Sequence, residues 1–438
     1  MAVLESKLKL WWEYSYLAQL HRSVQVWVSS SLLLSPLSLA IWLLVLLLFL
    51  PYLSTGQIGL LLIGISAFYL PLVHNSTLKA PLISYTIVAT IATVFSPVRS
   101  AALDGLIKLL LYFAVFLAIE RVFIANPKYR GYLVGSYILT NVLVTIGGLR
   151  QQFFGAQQLA TWWDPTSELS ALTRIYSFLG NPNLLAGYLL PAIPLGVVAL
   201  LLTDRWTWRV LIALSTLGSL LCIIYSYSRG AWLGLGAEVL VLSVALLYWR
   251  LERLSLWALP PIGLGLVGAM AAGIMTKPSL RTRVLSIFSI FDRNVDQSIS
   301  FRLRVMAGAM EMVKHYPIFG IGPGNRAFNL VYPLFQKARH SALGAYSVPL
   351  ELTIETGIVG LVVYSWLVIT VLRRGIRSIR LEPNLWGIGG MATVIGMLVH
   401  GLADTVWYRP QVQVLWWLGI ALVMVNPAKL QAEEKDKT

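Results

Sequence analysis

Two arginines, far apart in the chain, have the chemistry to hold an oxyanion. Arg229 lies in Tyr225-Ser226-Tyr227-Ser228-Arg229-Gly230-Ala231-Trp232, a very short turn between two apolar runs, and Arg302 follows Phe301 on the first turn of a helical pattern. A planar guanidinium donates two parallel hydrogen bonds to a carboxylate or phosphate, so such a pair suits an anionic ligand. Each has a plainer reading: Arg229 as a snorkelling anchor beside interfacial Tyr and Trp, Arg302 as a solvated charge. After Pro317 come Gly320, Gly322, Gly324 and Asn325. Glycines of this spacing reach positive φ and can aim N–H groups at an anion. No Gly-Lys-Ser/Thr follows, so this is not a P-loop, and a tight structural connection explains the same pattern.

Acids and imidazoles recur at helical spacing. Glu351 and Glu355 share one face of a helix, as do His400 and Asp404, and ionisable groups within apolar spans are functional suspects. His400 with Asp404 reads as a proton relay or as a clasp between helices. Asp104 and Lys108 read as an internal ion pair. The histidines His21, His74, His315, His340 and His400 do not cluster and Cys222 is the lone cysteine, so neither metal nor cofactor is expected. No nucleophile elbow stands out. Trp162, Trp163 and Asp164 suit a sugar surface or an interfacial aromatic belt.

The elements that must position these groups are membrane spans. Hydrophobic residues make up 57% of the chain and charged ones 12%, with a mean hydropathy of +0.72. Runs near 32–50, 58–73, 82–95, 105–119, 131–148, 184–202, 210–225, 231–249, 256–275, 352–372, 385–403 and 412–425 predict an all-α polytopic bundle of about 12 transmembrane helices. Segment 1–30, with Trp11–Val28, reads as a cytoplasmic or interfacial leader to a membrane bundle over 31–276. A long, partly helical loop over 277–349 follows, then spans over 350–426 and a tail over 427–438. Lys and Arg fall mainly on alternate short loops, which predicts cytoplasmic termini, an extracytoplasmic loop 277–349 and a plasma-membrane location. The net charge of +15 then records topology and attraction to anionic lipids, and no nucleic acid is expected as a partner.

The order Ser228-Arg229-Gly230-Ala231-Trp232-Leu233-Gly234, then Phe301-Arg302, then Gly320-Ile321-Gly322-Pro323-Gly324-Asn325, then Leu350 to Gly357 resembles the O-antigen ligase and polymerase superfamily, over roughly 205–372. Further stretches, Tyr176 to Ala186, Ala327 to Leu334, Ala345 to Glu351 and Asp404 to Pro410, resemble the cyanobacterial IctB type, described as bicarbonate transporters. The first resemblance implies that Arg229 and Arg302 hold a polyprenyl-diphosphate glycan donor, with Gly322, Gly324 and Asn325 beside them. It places the ligases' His-Asn pair on Tyr346-Ser347, leaving Tyr346, His340 and Glu355 as candidate catalytic residues. The second implies a small-anion site for bicarbonate, with His400, Asp404 and Glu351 handling a proton and a further membrane partner open. The expected function is inorganic-carbon uptake, with glycan ligation or polymerisation as the alternative.

Overall fold

The computed structural model describes residues 35–157, 174–250, 297–336, 342–380 and 384–425, with Gly268, Pro278, Leu280 and Arg281. The predicted span 256–275 (apart from Gly268), the interfacial segment Trp11–Val28, residues Trp162, Trp163, Asp164 and His340, and the tail lie outside these residues. All regular structure among the described residues is helical. In chain order the α-helices are α1 (Pro36–Phe49), α2 (Thr55–Tyr69), α3 (Lys79–Val94), α4 (Arg99–Ala125), α5 (Tyr129–Phe154), α6 (Pro182–Leu189), α7 (Ala192–Leu202), α8 (Trp206–Tyr225), α9 (Arg229–Arg250), α10 (Gln297–His315), α11 (Asn325–Val331), α12 (Val348–Arg380), α13 (Leu385–Ala403) and α14 (Pro410–Met424).

Seven helical segments are long and apolar enough to cross a membrane, α6 and α7 together forming one of them, and α1, α2, α3 and α14 are shorter apolar helices. Their outward faces carry exposed Leu60, Ile63, Ile87, Leu143, Val362 and Ile369, a surface that only lipid accommodates at this density. The chain is therefore a polytopic membrane protein.

Local sequence sets the helix starts. Ser54 and Gln57 close a capping box on α2, and Pro36, Pro182 and Pro410 stand in the first turns of α1, α6 and α14, where a missing N–H costs nothing. Asn181 caps α6 by accepting the Asn183 and Leu184 N–H groups at 2.8 and 3.2 Å. The predicted sixth span is two helices, because Pro191 has no N–H to continue the ladder. Beside the break, Tyr137 of α5 donates its hydroxyl to the Tyr188 carbonyl at 2.5 Å.

The glycine turn is threaded into a break in α12. Gly357 has φ +68° within that helix, so the Ile354 and Glu355 carbonyls are freed there. They accept the N–H groups of Ile321 and Gly322 at 2.8 and 2.9 Å, while Ile358 N–H donates to the Pro317 carbonyl at 2.9 Å. A Cβ on Gly105 of α4 would lie 1.8 Å from the Pro323 carbonyl oxygen, so the turn also presses onto that helix. Ser96 holds it from a third side through the Ile321 carbonyl.

Candidate functional site

Arg302 is the hub of one end of the bundle. Helix α10 starts at Gln297, since Ser298, Ile299 and Ser300 continue the helical run, so Arg302 stands in its second turn rather than its first. The guanidinium reaches across to the end of α13, donating one arm to the Ala403 carbonyl and the other to Asp404 Oδ2 at 3.0 Å. The side chain keeps 24% of its surface exposed, against 8% for Asp404. Its Cζ lies 4.8 Å from the centre of the Tyr346 ring, a cation–π contact, and Phe301 meets the same ring edge-on.

Asp404 does not share a helical face with His400. Helix α13 ends at Ala403 and Asp404 is extended, at φ −156° and ψ 158°. Its carboxylate therefore turns outward, accepting the Thr405 N–H at 2.8 Å, the Arg302 guanidinium and the Asn183 side-chain amide at 2.8 Å. Asn183 accepts in turn from Arg174 at 2.9 Å, and Arg174 also donates to the Ser226 carbonyl at 3.0 Å. Asp404 thus joins α10 to α6, and His400 stays buried with Nε2 unpaired.

Arg229 is the first residue of α9, not part of a turn before it. It is next to Gly230, whose missing Cβ lets Ala403 and His400 approach; a Cβ there would lie 3.0 Å from His400 Cδ2 and 3.3 Å from Ala403 Cβ. Arg229 thus starts its helix one residue from the segment that Arg302 grips. Arg229, Arg302 and Asp404 thus lie at one end of the bundle.

The other sequence candidates are structural neighbours of this hub. Gly322 N–H is committed to Glu355 and cannot also point at an anion; Gly324 packs against Gly105; and the Asn325 amide donates to the Leu343 carbonyl. The turn is a scaffold. Glu351 is buried and accepts the Ala345 N–H at 3.0 Å, tying down the residue before Tyr346. Asp104 and Lys108 form the internal pair expected of them, at 2.6 Å.

Tyr346 occupies the position expected of a base and is poorly suited to that task. Burial raises its pKa above the usual tyrosine value, more than the Arg302 charge lowers it, so the phenolate is scarcer than in a free side chain. Its backbone sits at φ +55°, and Tyr227 (φ +54°) and Ser177 (φ +50°) share this strained region. Each such residue costs about 1–3 kcal/mol, and such strain gathers at functional sites. Sequence reasoning missed Arg174 and gave Asn183 no partner; an arginine placed shortly before an Asn-capped helix is the signal that was present.

No curated protein matches the chain. Residues 212–365 of the 438 match the O-antigen ligase family (Wzy_C), a stretch running from α8 into α12 that contains Arg229, Arg302, Tyr346, Glu351 and Glu355. Over this stretch the chain is similar to the O-antigen ligase family, and the stretch encloses both arginines.

Proposed function

We propose that the protein is an envelope glycosyltransferase that moves a polyprenyl-diphosphate-linked glycan to an acceptor hydroxyl. The observation that carries this reading is Arg302, a part-exposed guanidinium oriented by Asp404 and the Ala403 carbonyl and backed by the Tyr346 ring. In the reaction the acceptor oxygen bonds to the anomeric carbon as that carbon's bond to the diphosphate breaks. The diphosphate leaves with the electron pair, and Arg229 and Arg302 stabilise the charge that develops on it. Tyr346 supports Arg302 instead of removing the acceptor proton, which passes to the departing diphosphate oxygen. This reading has the site on the extracytoplasmic side of the plasma membrane, which the charge pattern of the short loops supports.

The bicarbonate reading draws on motif resemblance, whereas the family match favours glycan transfer. The two separate in a deletion strain carrying wild-type or Arg302→Ala protein, with surface glycan and bicarbonate uptake measured together. A shortened or missing glycan with unchanged uptake is the expected result; intact glycan with reduced uptake would sink the proposal and restore transport.

A further inference from the structure

Glu238 is the most anomalous side chain in the bundle. It lies in the middle of α9, a candidate span, with 0% of its surface exposed and neither carboxyl oxygen hydrogen-bonded. An unpaired carboxylate in such an interior costs several kcal/mol, so the group carries its proton instead. A leucine would fill the space at less cost if packing alone were required.

The space has been made for it. The carboxyl rests on Gly396 of α13, where an added Cβ would come within 2.5 Å of Cδ and Oε1. One turn further along α13 is His400, 2% exposed, with Nε2 unpaired. His400 is seated against Gly187, Gly230 and Gly234, each of which would place a Cβ between 3.0 and 3.3 Å from it. Glycines of α6, α9 and α13 therefore open two adjoining seats at the α9–α13 contact, and both are filled by proton-binding groups.

Beyond His400 the same helix ends at the Asp404–Arg302 pair, which interacts electrostatically with the imidazole. On the inner side, Tyr137 of α5 is within electrostatic reach of Glu238. Four residues of helix rise about 6 Å, so the two seats lie one turn apart along the α9–α13 contact, with His400 on the side nearer the Arg302–Asp404 pair.

We propose that Glu238 and His400 form a membrane-embedded proton-binding site that exchanges with the outside through the Arg302–Asp404 end of the bundle. Nothing in this depends on the glycan reaction, and the site is read without it. The test is infrared spectroscopy of the full-length protein in lipid bilayers, following the carbonyl band of a protonated carboxyl group after transfer to D2O. The component of the band that belongs to Glu238 should be lost in Glu238→Gln, leaving that of Glu351, another buried carboxyl, and should shift in D2O for the wild type. In His400→Gln the shift should slow about a hundredfold, the lower range for a positioned proton-transfer group. Glu238→Asp, which keeps the acid and moves the band, replaces Glu238→Gln should that variant not fold. A band unaffected by either Glu238 substitution, one that never shifts in D2O, or one that shifts equally fast without His400 would overturn the proposal.

Discussion

Arg302 is a cation already engaged, so its use to an incoming anion depends on what that anion displaces. Asp404 holds one arm of the fork and the Ala403 carbonyl the other; a diphosphate must outbid the carboxylate or bind the remaining edge. Asp404→Asn should consequently tighten binding of inorganic diphosphate, measured by calorimetry, while lowering glycan transfer because the fork is no longer aimed. Looser binding would show that Asp404 only positions the arginine. Arg302→Lys keeps the charge and loses the fork, at a cost of ~1.5–3 kcal/mol in the same assay. Tyr346 tests the stacking role: Tyr346→Phe should leave binding nearly unchanged, whereas Tyr346→Ala should weaken it by ~0.5–2 kcal/mol. A Phe variant as damaged as the Ala variant would return the hydroxyl to the chemistry. These residues were legible as types, but their pairing was not. The i,i+4 spacing of His400 and Asp404 suggested a shared face, and one extended residue at the end of α13 sent Asp404 to Arg302 instead.

At the scale of elements, the break in α12 locks the glycine turn. The turn's N–H groups satisfy carbonyls that the break at Gly357 exposes, so neither feature stands without the other. Gly357→Ala would need φ +68° with ψ −174°, a region essentially reserved for glycine that costs about 1–3 kcal/mol, and its Cβ would meet the Ile318 carbonyl oxygen at 1.9 Å. A lower melting temperature in detergent and a weakened diphosphate site should appear together; a stable variant with normal binding would detach the break from the site. The cap on α6 is a milder case. Asn181→Ala should cost about 1 kcal/mol and loosen Asn183, hence Asp404, at the start of the same helix. Sequence patterns located these elements well because apolar length and capping residues are local signals. They missed the Pro191 interruption, and with it the Tyr137 hydroxyl that donates to the Tyr188 carbonyl beside the break.

For the whole molecule, the testable expectation is which end faces out. Cys222 is buried, so a thiol placed at an exposed position reports by itself. Lys314→Cys should react with a membrane-impermeant maleimide on intact cells, and Arg377→Cys only after permeabilisation; the reverse would invert the topology drawn from the loop charges. Composition and hydropathy by themselves determined that this chain lives in lipid as a bundle of helices. The reason is that a backbone in hydrocarbon must satisfy its own hydrogen bonds, and apolar runs show where it does so. Motif order pointed to the arginines. Only the tertiary structure decided what each of them meets, because Arg302, Asp404, Asn183 and Arg174 lie on segments whose contact depends on how helices pack, and no periodicity within one segment encodes that. The same holds for Glu238. In sequence it is one acid among apolar neighbours; in the fold it is an unpaired carboxyl resting on a glycine, with a histidine whose Nε2 is unpaired one turn along the facing helix.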